Sequence, residues 1–308
     1  MDAMSEPAWR QSRLVPLQPM AMGDLLDGAF KLLRAKLGTI MPLAAAFLVP
    51  FGLLSVFLAR LLVTPAARHY SRIADSVSAN GAQPSQEQLA QLLRAYFGLL
   101  DAGVVSFLPV LLAAALTGAA VSRVVAAGYL GEDASAGAAL RATGRRLPAL
   151  LGAFVLVHLC EGIAGLFCLL PALVPMTFFL CATPAIMLEG LGAVQGMGRS
   201  ASLVRSRFWR VLGIGLLSGL VAVLMSMILR WPFDFLARLA GPNWSFIPSA
   251  VGGTVTQLVV MPFTSIVATL VYLDARVRLE GLDLQMLSRD QGQRDQGHWG
   301  QSGGASLA

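Results

Sequence analysis

Glu189 to Leu217 reads EGLGAVQGMGRSASLVRSRFWRVLGIGLL, a basic amphipathic helix that runs without a break into an apolar stretch. Val194, Met197, Ala201, Val204 and Phe208 recur at three- and four-residue steps, while Gln195, Arg199, Ser202, Ser206 and Arg210 fall on the opposite side. One face suits acyl chains and the other phosphate headgroups, the pattern of a helix lying in a membrane interface. We term this unit an elbow. Two weaker copies precede it, MGDLLDGAFKLLRAKLG from Met22 and GEDASAGAALRATGRRL from Gly131. In each, a basic residue and an apolar one stand directly ahead of an apolar span: Lys36-Leu37, Arg146-Leu147 and Arg207-Phe208. The pattern suggests three units, each an interfacial helix followed by a helical hairpin. The expected fold is therefore all-α, a polytopic membrane bundle of six transmembrane helices with three amphipathic interfacial helices preceding spans 1, 3 and 5.

Composition agrees. Of 308 residues 56% are hydrophobic and 13% charged, and the mean hydropathy of +0.68 lies outside the range of water-soluble domains of this size. Cys160, Cys168 and Cys181 all stand in apolar runs, which fits packing thiols rather than a disulfide framework. The first twenty residues hold Asp2, Glu6, Arg10 and Arg13 but no long apolar core, so no cleavable secretion signal is expected. Basic segments near a membrane first suggest anionic lipid; nucleic acid is the poorer reading, because no Lys/Arg run interleaved with aromatics occurs outside the membrane-flanking segments.

Residues 1–19 are expected to be a disordered tail, 20–286 a membrane domain, and 287–308 a second disordered tail rich in Gly, Gln and Ser. Spans are placed at about 38–63, 98–121, 148–170, 172–188, 210–229 and 248–273, each close to the roughly 20 residues a crossing needs. Between the first two lies a polar excursion, 64–96, in which Ser85 to Gln88 reads as a capping box opening a short helix toward Tyr96. The fourth span is short and interrupted by Pro184, so a re-entrant hairpin is an alternative for spans 3 and 4. Ala113, Ala114, Ala115, Gly118 and Ala119 form a small-residue face suited to helix contact, and Gly215 and Gly219 a weaker one. Trp231 and Trp244 read as interfacial anchors in a loop.

With an inside N-terminus and six crossings, Arg60, Arg68, Arg72, Arg94, Arg230 and Arg238 fall outside. Six of 23 Lys and Arg lie there, which leaves 17 on the inner side and favours cytoplasmic termini. The elbows then supply Lys31, Arg34, Lys36, Arg141, Arg145, Arg146, Arg199, Arg205, Arg207 and Arg210 as candidate headgroup contacts. In the first elbow, Asp27 and Lys31 stand four apart in the order that favours an ion pair.

Three stretches together resemble the glycerophosphodiester phosphodiesterase membrane-domain family of bacterial membrane proteins: MAMGDLLDGAFKLLRAKLGTIMPLAAAFLVP, ATPAIMLEGLGAVQGMGRSASLVRSRFWRVLG and LVYLDARVRLEGLDL. The resemblance covers most of residues 16–285. It implies a bacterial inner-membrane protein. Some members of that family carry a soluble phosphodiesterase barrel, for which these 308 residues leave no room, so the resemblance implies no activity here.

His158 and Glu161 lie three apart on span 3, about 16 to 21 Å in at 1.5 Å per residue. Ionisable residues at such depth are functional candidates, here a proton relay or a polar substrate contact. The structural alternative is a pair that satisfies itself or bonds to Gln257 or Thr256. HLCE is not a helical HExxH, and no metal or cofactor is expected. At the outer boundary Asp101 could pair with Arg94 or Arg60. Asp274, Arg276, Arg278 and Glu280 suit a helix terminus packing on an elbow. With no catalytic signature, the chain reads as a non-catalytic scaffold or accessory subunit that engages anionic lipid and an unknown protein partner. A transporter or permease component is the alternative.

Overall fold

The computed structural model describes residues 20–79, 84–130, 134–167 and 169–280. The tails expected over 1–19 and 287–308 lie outside these residues, as does Cys168. Helix is the only regular structure among them. In chain order the helices are α1 (Met22–Ala35), α2 (Leu37–Leu58), α3 (Thr64–Ala79), α4 (Gln86–Leu130), α5 (Ala136–Arg145), α6 (Leu147–Phe167), α7 (Leu169–Phe178), α8 (Ala182–Glu189), α9 (Ala193–Arg205), α10 (Phe208–Leu239), the single turn α11 (Gly241–Trp244) and α12 (Phe246–Glu280). A π-helical turn, Ala59–Val63, joins α2 to α3.

The three elbows share one backbone device. Lys36, Arg146 and Arg207 leave helical dihedrals at φ/ψ of −113°/21°, −101°/5° and −135°/27°, near the sparsely populated bridge region. Their carbonyls nevertheless accept the N–H groups of Ile40, Leu150 and Val211 at 2.9, 3.0 and 3.0 Å, so each already starts the next helix. One basic residue thus turns the chain from a short helix into a long one, three times over. The same joint recurs ahead of the first, third and fifth long apolar stretches.

Six helical stretches are long and apolar enough to cross a membrane: Leu37–Ala79, Gln86–Gly128, Leu147–Phe167, Leu170–Glu189, Phe208–Leu239 and Phe246–Glu280. Their outer faces expose Leu53, Phe57, Val104, Leu166 and Ile228, an apolar surface suited to a bilayer. This is a multi-pass membrane protein.

The polar excursion between the first two crossings is more helical than expected. The first rod runs on through the π-turn to Ala79, and α4 resumes at Gln86. The capping box forms as expected: the Ser85 N–H donates to Gln88 Oε1 at 2.9 Å, and the Gln88 N–H to Ser85 Oγ at 3.2 Å. The two rods have 43 and 45 residues, about 65 Å each at 1.5 Å per residue. That is about twice a hydrocarbon core of ~30 Å, so a helical hairpin projects beyond the membrane away from the elbows. Trp231 likewise lies within α10, which continues to Leu239, and not in a loop.

The fourth crossing is broken, though not at Pro184. That residue is the third of α8, where its missing N–H costs no helical bond. The break falls at 179–181 and is filled from α9. Ser200 is completely buried; its hydroxyl donates to the Phe178 carbonyl at 2.6 Å and accepts the Cys181 N–H at 3.1 Å. Backbone groups that would be orphaned in hydrocarbon are thereby paired.

α12 is the axis of the bundle, with Phe263, Ile266, Leu270 and Tyr272 fully buried. Ser122 of α4 and Thr269 of α12 share a hydrogen bond at 3.0 Å, and Gly118 leaves room for Ser265, so part of the expected small-residue face is used. Gly215 and Gly219 meet no neighbour at the Cβ position.

Replacing Ser200 by Ala leaves a buried carbonyl and a buried N–H without partners. The expected loss is about 1 to 3 kcal/mol, read as a lower Tm in detergent, while exposed Ser202→Ala changes nothing. An unchanged Tm for Ser200→Ala would contradict this account of the break.

Candidate functional site

The elbow end gathers most of the chemistry-bearing residues, and α9 sets their positions. Its buried stripe is Gly196, Met197, Ser200, Leu203 and Val204. The expected lipid-facing stripe of Val194, Met197, Ala201, Val204 and Phe208 is therefore displaced by a fraction of a turn, and Met197 and Val204 face protein. Val194 is 72% exposed. The displacement has a physical cause: Gly196 sits where any Cβ would collide with Ile186, and Ser200 is needed at the α7–α8 break.

This rotation carries Arg199 to the flank of α12. Arg199 Nε donates to both oxygens of Glu189 at 2.9 Å, and its Nη2 lies 2.5 Å from Glu280 Oε1. Glu189 also accepts the Tyr272 hydroxyl at 2.6 Å, and Arg276 donates to Glu280 at 2.9 Å. Burial disfavours the charge on Arg199, yet its hydrogen bonds to the two glutamates hold its pKa above the usual arginine value.

A second cluster lies beside the first. Asp274, 4% exposed, accepts the Met20 N–H at 2.9 Å, Arg278 Nε at 2.9 and 3.0 Å, and Arg210 Nη2 at 3.3 Å. The Met20 carbonyl in turn accepts hydrogen bonds from Arg210 and, at 2.7 Å, from Arg278 Nη2. The mixed charge ending α12 packs on an elbow as expected. Tyr272 and Glu189 were not legible as members, because neither belongs to a motif.

The ten candidate headgroup residues divide. Arg199 and Arg210 turn inward and form ion pairs with Glu189 and Asp274. Arg146 donates to the Gly190 carbonyl at 2.6 Å, across a residue whose φ of +72° ends α8. Arg141 bonds back to Gly137, and Lys36 is half-buried at its joint. Lys31 meets Asp27 at 2.6 Å, and that contact raises its pKa. Arg34, Arg145 and Arg205 are exposed and Arg207 is half-exposed; none makes an ion pair among the described residues.

Elsewhere, pairs expected from the sequence form no hydrogen bond or ion pair with each other. His158 Nδ1 lies 2.8 Å from the Phe154 carbonyl and its ring packs on Phe154 at 4.4 Å. No hydrogen bond joins it to Glu161, Gln257 or Thr256. Arg60 lies over the Phe246 ring, and neither it nor Arg94 pairs with Asp101. Among the described residues no three His, Cys, Asp or Glu side chains stand close enough to hold a metal ion.

Residues 38–275 match the family described as Domain of unknown function (DUF7847). The chain belongs to the DUF7847 family. No curated protein and no solved structure matches it. The DUF7847 segment contains Glu189, Arg199, Ser200, Arg210, Tyr272 and Asp274, the centre of both clusters. α1 and the residues from Arg276 onward lie outside the matched range.

Removing one partner from a buried ion pair strands the other. Asp274→Ala is expected to cost about 3 to 5 kcal/mol, and Arg210→Met less, because that side chain is about one-quarter exposed. A double-mutant cycle on this pair, followed by thermal unfolding, should give clear coupling. Strict additivity would contradict the contact.

Proposed function

We propose that the chain is a non-catalytic bacterial inner-membrane protein whose elbow end rests on the cytosolic leaflet and binds anionic lipid, serving as a scaffold or accessory subunit for a protein partner. The observation that carries this reading is the outer side of the third elbow. Arg205 and Arg207 carry no counter-charge among the described residues, and Trp209, two positions on from Arg207, is 80% exposed. Unpaired cations beside an exposed indole suit the headgroup level of a bilayer. Val194 and Phe30 add exposed apolar area on the third and first elbows.

Orientation follows from charge. Met20 and Asp274 are hydrogen-bonded, so the described chain begins and ends at the elbow end, which also holds most of the Lys and Arg. The positive-inside rule assigns that end to the cytoplasm. Each cation near an anionic leaflet contributes about 1 kcal/mol. Kinship with the glycerophosphodiester phosphodiesterase membrane-domain family belongs to the same reading, without its enzymatic activity. The broken fourth crossing is the feature that would favour a transporter, since such helices line substrate sites. Here Ser200 fills the break, and His158 is bonded within its own helix.

The test uses purified protein in nanodiscs of mixed anionic and neutral lipid. Arg205→Gln with Arg207→Gln should lower the enrichment of anionic lipid around the protein by up to about 30-fold, from roughly 2 kcal/mol of lost attraction. His158→Ala should leave it unchanged. Equal retention of both lipid types by the double variant would overturn the proposal. A cysteine placed at Ala79 in a cysteine-free background should react with impermeant reagent only from outside the cell.

A further inference from the structure

At the end of the bundle away from the elbows, α2, α4, α10 and α12 part around a cavity of about 500 Å³, within the range of small-molecule sites. Two guanidinium groups line it, Arg60 from the π-helical turn and Arg230 from α10. At that turn the Thr64 N–H bonds to the Ala59 carbonyl, one residue beyond the α-helical register, and single π-turns re-aim side chains in this way, often at functional sites. Arg60 lies 3.7 Å from the Phe246 ring centroid and makes no ion pair among the described residues. Arg230 meets Asp234 at 3.3 Å in a contact that is about half exposed.

The remaining polar lining is short of free donors. The hydroxyls of Ser55, Ser249 and Thr254 donate to the carbonyls of Ser106, Ser245 and Ala250. Gln257, half-buried, makes no hydrogen bond among the described residues. The donors left for a ligand are therefore the Arg60 guanidinium, the Arg230 nitrogens not turned to Asp234, and one amide, and no carboxylate stands among the lining residues described. Two guanidinium groups, of which only Arg230 meets a carboxylate and that one a half-exposed neighbour on its own helix, match an oxyanion that has several acceptor oxygens.

We propose that this cavity binds a phosphate-bearing molecule, with the phosphate on Arg60 and Arg230 and the Gln257 amide contributing from deeper in the cavity. A phospholipid headgroup and a soluble phosphate share that chemistry. The site stands apart from the elbow surface and does not depend on it.

The experiment titrates the full chain in neutral detergent with inorganic phosphate and, separately, with short-chain phosphatidic acid, against sodium chloride of equal ionic strength. Calorimetry reads affinity and Tm reads the fold. Arg60→Gln and Arg230→Gln should each weaken binding about tenfold or more, the loss of one charge-assisted hydrogen-bonding partner. Asp234→Asn frees Arg230 and should tighten binding several-fold. Arg205→Gln with Arg207→Gln should bind phosphate like the unaltered protein. Binding of phosphatidic acid alone that persists in the Arg205→Gln, Arg207→Gln variant and weakens in Arg60→Gln or Arg230→Gln assigns the site to a lipid headgroup, and binding of inorganic phosphate with the same dependence assigns it to a soluble ligand; both outcomes support the proposal. No saturable binding of either probe overturns it, as does unaltered affinity in both folded arginine variants. Should those variants fail to fold, unchanged or weaker binding by folded Asp234→Asn overturns it too.

Discussion

A carboxylate buried at 4% exposure has to be surrounded by donors, and Asp274 obtains them from three separate parts of the chain. Met20 brings its N–H from ahead of α1, Arg210 reaches across from α10, and Arg278 folds back from the next turn of α12. Inside a bilayer the hydrophobic effect gives little reason for one apolar helix to prefer another over lipid. Specific polar contacts and close backbone approach must then decide how the rods associate. Asp274 and its neighbour Glu189 supply the polar contacts where α1, α9, α10 and α12 converge. The buried carboxylates also account for the central place of α12. Its acidic side chains can be charged only if basic elements surround it, and the elbows are the basic elements.

The break in the fourth crossing follows the same logic at smaller scale. Backbone that leaves the helix in a membrane needs partners from protein, since hydrocarbon offers none. One hydroxyl, Ser200, acts as both donor and acceptor, and this fixes the rotation of α9 about its own axis. From that rotation follows the position of Arg199 beside Glu189 and Glu280. A local requirement of two peptide groups thus places a charge network about one turn away.

Much of this organisation is legible in the sequence because it depends on local pattern. Six apolar stretches, a basic residue ahead of three of them, and the Ser85–Gln88 box are short-range signals, and the chain folds accordingly. The misplaced features depend on distant partners. Hydropathy marks 64–96 as a polar excursion with one short helix, yet Tyr70 on α3 and Tyr96 on α4 pack ring to ring and extend the hairpin. Periodicity on α9 turns Val194, Met197 and Val204 to lipid as one face; a buried serine with two backbone partners, Ser200, brings Met197 and Val204 against protein instead. Arg199 and Arg205 look equivalent in composition. Only Glu189 and Glu280, 10 and 81 positions from Arg199 in the chain, distinguish them.

The arginines show how one residue type performs opposite tasks at the two ends of the bundle. At the elbow end the guanidinium groups of Arg199 and Arg210 are satisfied by carboxylates from neighbouring helices, and the packing closes around them. At the far end the one carboxylate that Arg230 meets among the described residues lies on its own helix, one turn along, so the pair ties α10 to no other described helix. Arg60 is held by a ring face and not by a counter-charge. Interhelical ion pairs draw rods together, whereas intrahelical pairs and cation–π contacts leave their spacing open. The absence of interhelical carboxylates among the residues lining the far end is consistent with helices that part there around a polar cavity, while the elbow end stays shut.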